Sequence, residues 1–249
     1  MEQRMEKQLI GSGNTAEVFE WGDNKVLKLF YEGYPEHAVE NEYSNALAVK
    51  ELNFPKPIPY ERLKYKGRSG IVYDKVLGES LEDWFFKTGD LDKCAFYMSS
   101  LHKRMLKYEL KDLPDYKEFL AYHIQNAKSC KIREKEEALQ ILQRLPKGNT
   151  LCHGDYHPGN ILVSGTETYV IDFMNLCRGS YLYDIARTVY LVEYTPVSES
   201  VTDKEGLLNI KRTLVKKYLS YMDIRKDMIK DYLLVIGVAR AGECPNEYI

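Results

Sequence analysis

Between Gln8 and Phe30 apolar and polar side chains alternate in short runs, QLIGSGNTAEVFEWGDNKVLKLF. This period-two pattern, broken by glycine, predicts a strand, a glycine turn, a second strand, a tight turn and a third strand. The period then changes. From Pro35 to Leu52 apolar residues at 39, 43, 46, 47 and 49 follow helical spacing, until Phe54-Pro-Lys-Pro-Ile-Pro ends the helix. A strand is predicted around 58–65, a turn at 67–70 and another strand from Ile71 to Val76. Gly78 permits a bend, and Ser80 is placed to cap a helix beginning at Leu81. From Leu81 to Leu145 the pattern is helical, interrupted around Lys111–Asp115. Within it, KIREKEE at 131–137 mixes both charges and reads as a solvated helix face. Residues 181–249 are helical again, apart from a polar loop at 195–206.

One stretch breaks both periods. Leu151–Phe173, LCHGDYHPGNILVSGTETYVIDF, reads as a turn-rich loop, a short strand, a turn at Ser164-Gly165, and a second strand climbing through Tyr169, Val170 and Ile171 to Asp172. Asn160 lies five positions after Asp155, and Asp172 seventeen. The hairpin predicts that Asn160 and Asp172 reach one cation. In phosphoryl transfer a protein must align a hydroxyl with the phosphorus and neutralise charge on the phosphate oxygens. An Asp that accepts the hydroxyl proton, with an Asn and an Asp as hard oxygen ligands for Mg2+, meets both needs.

Composition narrows the class without adding to the chemistry. With 249 residues, 44% hydrophobic and 29% charged, the chain is an ordinary globular one, long enough for a large domain or two lobes. A formal net charge of −2 gives no global pull toward nucleic acid or an anionic membrane. Five scattered cysteines without metal-ligand spacing predict a reducing cytoplasm and no structural zinc. The charged start, MEQRMEKQLI, lacks the apolar segment of a signal peptide, and no apolar run is long enough to span a bilayer.

The motif HGDYHPGN followed by IDF resembles the catalytic and metal-binding motifs of the aminoglycoside phosphotransferase and choline kinase superfamily, the small-molecule kinases of the protein-kinase-like fold. Gly154 in place of Arg and the pair His157-Pro158 point to this branch. The resemblance implies an α+β fold with two lobes: a small antiparallel-sheet lobe with one helix at 1–77, and a mostly helical catalytic and substrate lobe at 78–249. It implies ATP, or GTP in its place, and Mg2+ as cofactors. The implied partner is a small molecule carrying a hydroxyl group, with no nucleic acid or membrane; the oligomeric state stays open, a monomer included.

Residue by residue, the resemblance makes Asp155 the catalytic base, with Asn160 and Asp172 on the metal. Gly11, Ser12 and Gly13 would cover the triphosphate and Val18 the adenine ring, although Ala16 stands where protein kinases carry a third glycine. Lys28 would contact the α- and β-phosphates, steadied by a carboxylate of the following helix. Register favours Glu42, with Glu40 the alternative. The carbonyl of Asp74 and the amide of Val76 would meet adenine, with Tyr73 behind them. Asp184 resembles the family's Asp-x-Ala element, a buried carboxylate tying its helix to the catalytic loop, and ARAGECPNEYI resembles a family ending. His102 reads as a hydrogen-bonded core histidine, and His153 as a brace of the loop.

The acceptor is less legible. Residues 101–149 carry more Lys and Arg than Asp and Glu, and residues 180–249 carry equal numbers, so no net-acidic lobe argues for a polycation. Tyr156, Tyr181, Tyr183 and Tyr190 are candidates for an aromatic cage, with helix packing their default role. An aminoglycoside-type antibiotic, an amino alcohol and a sugar-like metabolite all remain candidates. The rival classes are an atypical protein kinase and a nucleotide-binding pseudokinase scaffold. Only twelve positions separate Asp172 from Asp184, which leaves no room for a long activation segment.

Overall fold

The structure, a computed structural model, describes residues 8–245; the first seven residues of the charged N-terminal stretch and the last four of the ARAGECPNEYI ending lie outside the described residues. The chain divides into two compact units. One is the described part of Met1–Glu79 together with Leu162–Asn175, and the other is Ser80–Ile161 with the described part of Leu176–Ile249.

In the first unit β1 (Leu9–Ser12), β2 (Ala16–Glu20), β3 (Lys25–Phe30), β4 (Pro59–Tyr65) and β5 (Arg68–Asp74) form an antiparallel sheet in the order β1-β2-β3-β5-β4. Alternation gives the sheet two faces. Leu27, Leu29 and Val72 are buried on one, under Phe19, Trp21, Leu63 and Tyr65. On the other, the register aligns Val18, Lys28 and Ile71 across three strands. Helix α1 (Glu36–Ala48) packs on β4 and β5 and buries Val39, Glu42 and Ala46.

The β4–β5 turn differs from the sequence expectation. It is Lys66-Gly67 rather than 67–70, with φ of 50° and 79°. Positive φ at both central residues is the two-residue hairpin geometry that matches strand twist. The strand β5 therefore starts at Arg68, earlier than expected. A shorter sheet of order β6-β8-β9 comprises β6 (Glu79–Ser80), β8 (Ile161–Ser164) and β9 (Glu167–Val170). Here Gly78 has a steric reason to be glycine, since a Cβ at that position would lie 2.1 Å from the carbonyl oxygen of Val163.

The second unit holds α2 (Leu81–Thr88), α3 (Leu91–Met105), α4 (Tyr116–Asn126), α5 (Ile132–Arg144), α6 (Tyr181–Glu193), α7 (Lys204–Met222) and α8 (Lys230–Glu243). Ser80, Asp90, Asp115, Ser180 and Asp203 cap five of them, each accepting a first-turn amide. Helix α3 packs on α7, and α8 is packed by α4, α5 and α6. Two strands absent from the sequence reading, β7 (Thr150–Cys152) and β10 (Cys177–Gly179), pair antiparallel across the start of the loop. At three residues each they are too short for any period to register. Among the described residues no helix is long and apolar enough to cross a membrane.

Candidate active site

Lys28 sits mid-strand on β3 with its side chain 14% exposed, and its ammonium meets two carboxylates of the same unit: Glu42 at 2.7 Å and Asp172 at 3.2 Å. Burial alone would draw the lysine pKa down, but Asp172 and Glu42 outweigh that and hold it well above the ordinary value. The cation is therefore permanent. Glu42 is the partner because it lies in the buried stripe of α1 with Val39 and Ala46; Glu40, one face away, meets Arg62 at 3.3 Å in the open. The hydroxyl of Tyr73 also donates to Glu42 Oε1, at 3.3 Å, so Tyr73 supports the ion pair. Yet Glu42 Oε2 is buried with no hydrogen-bond partner. An unmet buried acceptor costs about 1–3 kcal/mol, so this carboxylate is a poor choice for stability alone.

Asp172 adopts φ 68°, a left-handed conformation that Asp tolerates better than most L residues. The backbone that follows it is held by α1: Asn45 Nδ2 donates to the carbonyls of Phe173 at 2.8 Å and Met174 at 3.2 Å. The sequence reading passed over Asn45. Its signal is a poor helix former one turn after Glu42 on the same face.

The glycine turn is tied by Tyr31, whose hydroxyl donates to the Gly13 carbonyl at 3.0 Å and lies 2.9 Å from Ser12 Oγ. Neither Gly11 nor Gly13 is needed by the protein's own sterics. A Cβ would find nothing closer than 3.8 Å at either, and neither has a left-handed φ. Val18, half-buried, stands beside Lys28 in register. Asp74 ends β5 with its side chain engaged by the Ile58 amide at 3.0 Å and the Tyr60 hydroxyl at 2.7 Å. Val76 follows in an irregular, half-buried segment.

In the second unit the loop from His153 to Asn160 presents Asp155 with 30% of its side chain exposed. Asn160 Nδ2 donates to both the backbone carbonyl of Asp155, at 2.9 Å, and its Oδ2, at 3.1 Å. That fixes the carboxylate and leaves the Asn160 side-chain oxygen as the acceptor end of the amide. His153 Nδ1 accepts the Asp155 amide at 3.2 Å, and His157 Nδ1 accepts the Gly159 amide at 3.1 Å, capping the 3₁₀ turn Pro158–Asn160.

Behind the loop lies a buried polar chain. Asp184 on α6 accepts from the amides of His153 at 2.7 Å and Gly154 at 2.8 Å. Its Oδ2 also meets His102 Nε2 at 3.0 Å, and His102 Nδ1 meets the Tyr218 hydroxyl at 2.6 Å. Burial would raise the Asp184 carboxyl, but the bond and charge of His102 and the Gly154 amide hold it below its ordinary 3.8. The aromatic candidates mostly resolve to packing. Tyr156 is fully buried, donates to the Met98 carbonyl at 2.7 Å and stacks on His102 at 4.1 Å. Tyr183 packs on Tyr116 at 4.5 Å and Tyr190 on Tyr194 at 5.4 Å, while Tyr181 alone of the four is exposed.

Asn160 directly precedes β8, and Asp172 follows β9 after one residue. An amide oxygen and a carboxylate are the hard donors Mg2+ takes. Among the described residues no three His, Cys, Asp or Glu side chains gather as a metal cluster.

A family model, APH, the phosphotransferase enzyme family, matches residues 7–205. No curated protein matches the sequence. Among solved structures, the amicoumacin kinase hAmiN in complex with AMP-PNP, Ca2+ and Ami is similar at 18% identity and a TM-score of 0.61, covering 98% of this chain and 81% of that one. An aminoglycoside-3'-phosphotransferase of type VIII is similar at 15% identity and a TM-score of 0.61, covering 93% and 91%. The aminoglycoside phosphotransferase APH(3'')-Id from Streptomyces rimosus, in complex with ADP and streptomycin, is similar at 15% identity and 0.56, covering 90% of each chain. At these identities the likeness establishes a protein-kinase-like fold.

Proposed function

Because this chain belongs to the phosphotransferase enzyme family, we propose that it transfers the γ-phosphoryl group of ATP to a hydroxyl of a small molecule. The observation that carries this reading is the Asp155 carboxylate, oriented by Asn160 and open to solvent on a loop whose backbone is pinned at each step. Asp155 aligns the acceptor hydroxyl and takes its proton as the oxygen attacks phosphorus and ADP departs. Losing it costs about 10²–10⁴ in rate. Lys28, fixed by Glu42, binds the α- and β-phosphates; the amides of Gly11, Ser12 and Gly13 cover them, and Val18 packs on adenine. The Asp74 carbonyl and Val76 amide bind the adenine edge.

Asn160 and Asp172 are the residues that would hold Mg2+, and the ion would supply charge neutralisation at the phosphate oxygens. Nucleotide use is supported by the AMP-PNP and ADP complexes of the similar structures. An acceptor of the aminoglycoside, amino alcohol or sugar class is supported by the family, and a cage built of Tyr156, Tyr183 and Tyr190 is not, because all three are buried. Residues 173–180, the only chain between Asp172 and α6, carry β10 and no activation segment, which favours a small acceptor over a protein.

The test is a mass-resolved phosphorylation screen with Mg-ATP against aminoglycosides, choline, ethanolamine, sugars, homoserine and a peptide pool, beside Asp155→Asn. Phosphate gain on one small acceptor, lost in the variant, supports the reading. Transfer that survives Asp155→Asn removes Asp155 as the base, and transfer to peptide alone removes the small acceptor.

A further inference from the structure

The peptide that joins Gly154 to Asp155 is held at both edges. Its N–H, the amide of Asp155, goes to His153 Nδ1 at 3.2 Å. Its carbonyl, that of Gly154, accepts from Arg187 Nε at 3.0 Å. Arg187 lies one turn beyond Asp184 on α6, so the same helix face grips Gly154 twice: Asp184 takes its N–H and Arg187 its oxygen. Gly154 itself is in the left-handed region, φ 75°, so the chain turns sharply between the grips.

Arg187 is a strange side chain to find there. It is fully buried on α6, where Asp184 and Thr188 are the other buried polar side chains among Ile185, Ala186, Val189 and Val192. Its Nη2 donates to both oxygens of Glu243, the last residue of α8, at 2.5 and 2.7 Å, and its plane lies 5.7 Å from the Phe119 ring. Glu243 is shared with Arg240, 3.2 Å away, and Arg187 Nη1 is buried with no hydrogen-bond partner. Two cations on one carboxylate with an unmet donor make a weak stability device, one that apolar residues of similar volume commonly equal or better. What the arrangement does achieve is direction, because a planar guanidinium held on one edge aims its Nε at one point.

We propose that Arg187 and Glu243 are positioning residues for Asp155: the end of the last helix fixes Arg187, and Arg187 fixes the peptide plane from which the Asp155 side chain departs. This rests on Asp155 being the base. The coupling runs across 56 sequence positions.

The experiment measures three things on Glu243→Gln, Arg187→Met, Arg187→Lys, the double variant and Asp155→Asn. They are Mg-ATP hydrolysis without acceptor, thermal melting, and hydrogen exchange of the 153–155 amides. Glu243→Gln, nearly isosteric, should keep a cooperative transition and a KM for ATP within about twofold of the parent while kcat falls about 10- to 100-fold. Exchange at Asp155 should rise about tenfold, with the 161–170 hairpin unchanged. Arg187→Lys should recover part of what Arg187→Met loses, and the double variant should be no slower than Arg187→Met, since both remove one device.

Unchanged kcat and unchanged Asp155 exchange in Glu243→Gln overturn the proposal, as does a fall in kcat that follows melting alone. If Arg187→Met does not fold, Glu243→Gln decides. Hydrolysis undiminished in Asp155→Asn sinks the base assignment, while the exchange data still judge the positioning claim on their own. If the parent hydrolyses no ATP, exchange at Asp155 alone decides.

Discussion

Glu42 and Asn45 stand one turn apart on α1, the first 2.7 Å from the Lys28 ammonium and the second 2.8 Å from the carbonyl of Phe173. One helix face therefore positions both the lysine and the backbone that carries Asp172. Asn45→Ala removes two hydrogen bonds to carbonyls in this unit, which is expected to cost about 1–3 kcal/mol of stability and to raise KM for ATP. Urea unfolding and ATP titration check both; an Asn45→Ala protein with parental values for each would show that the clamp has no weight.

The two glutamates of α1 should part company on substitution. Glu42→Gln leaves Lys28 with a neutral partner in a buried setting, and kcat/KM for ATP should fall about 10²-fold, as for other lost charge-stabilising groups. Glu40→Gln breaks only an exposed pair with Arg62, at 3.3 Å, worth about 0–1 kcal/mol. Steady-state kinetics on both variants would reveal an error if the two behaved alike.

At the glycine turn, stability and activity should separate. Since the protein leaves room for a Cβ at positions 11 and 13, Gly11→Ala and Gly13→Ala should be as stable as the parent or more stable by about 0.4–1 kcal/mol, through reduced unfolded-chain entropy. ATP affinity should nevertheless weaken, because a ligand that approaches the backbone there would meet the new methyl. Calorimetry and nucleotide titration on the same samples decide; parental affinity would remove the turn from the site.

Asp184 predicts an acid limit. Its folded carboxyl lies below the ordinary 3.8, so its contribution is complete above the unfolded value and is lost as pH falls through the folded one. The parent should lose stability below about pH 4 in part through this group. Asp184→Asn should be less stable at neutral pH by about 3 kcal/mol, having put a donor among donors, and should show a shallower acid loss. Equal pH slopes for the two proteins would exclude Asp184 as the source.

How much of this could be read in advance depended on range along the chain. Asp155, Asn160 and Asp172 stand in one 23-residue stretch whose loop and hairpin are visible as a break in periodicity. Lys28 and Glu42 were legible because strand and helix phases place them on inner faces. Arg187 and Glu243 were not, because nothing local distinguishes a buried ion pair between two helices from two surface charges. The signal present was an arginine one turn after Asp184, flanked by the apolar residues of α6. Strands β7 and β10 escaped because three residues carry no period, and the Lys66-Gly67 turn because lysine does not advertise a positive φ. The buried tyrosines of α6 and the loop were ambiguous for the opposite reason, as rings serve cores and cages alike.

The hairpin Leu162–Asn175 belongs with the N-terminal unit, although 82 residues of the other unit, Ser80–Ile161, intervene. On the ribosome, then, the first unit to emerge stays incomplete until its last segment has been synthesised behind α2 through β7, and the second unit closes later still, once α8 has been made. The synthesis of the two units is interleaved, and the late strand pair β8–β9 must join β6, in a sheet separate from the early five-stranded one, before Asp172 can meet Lys28.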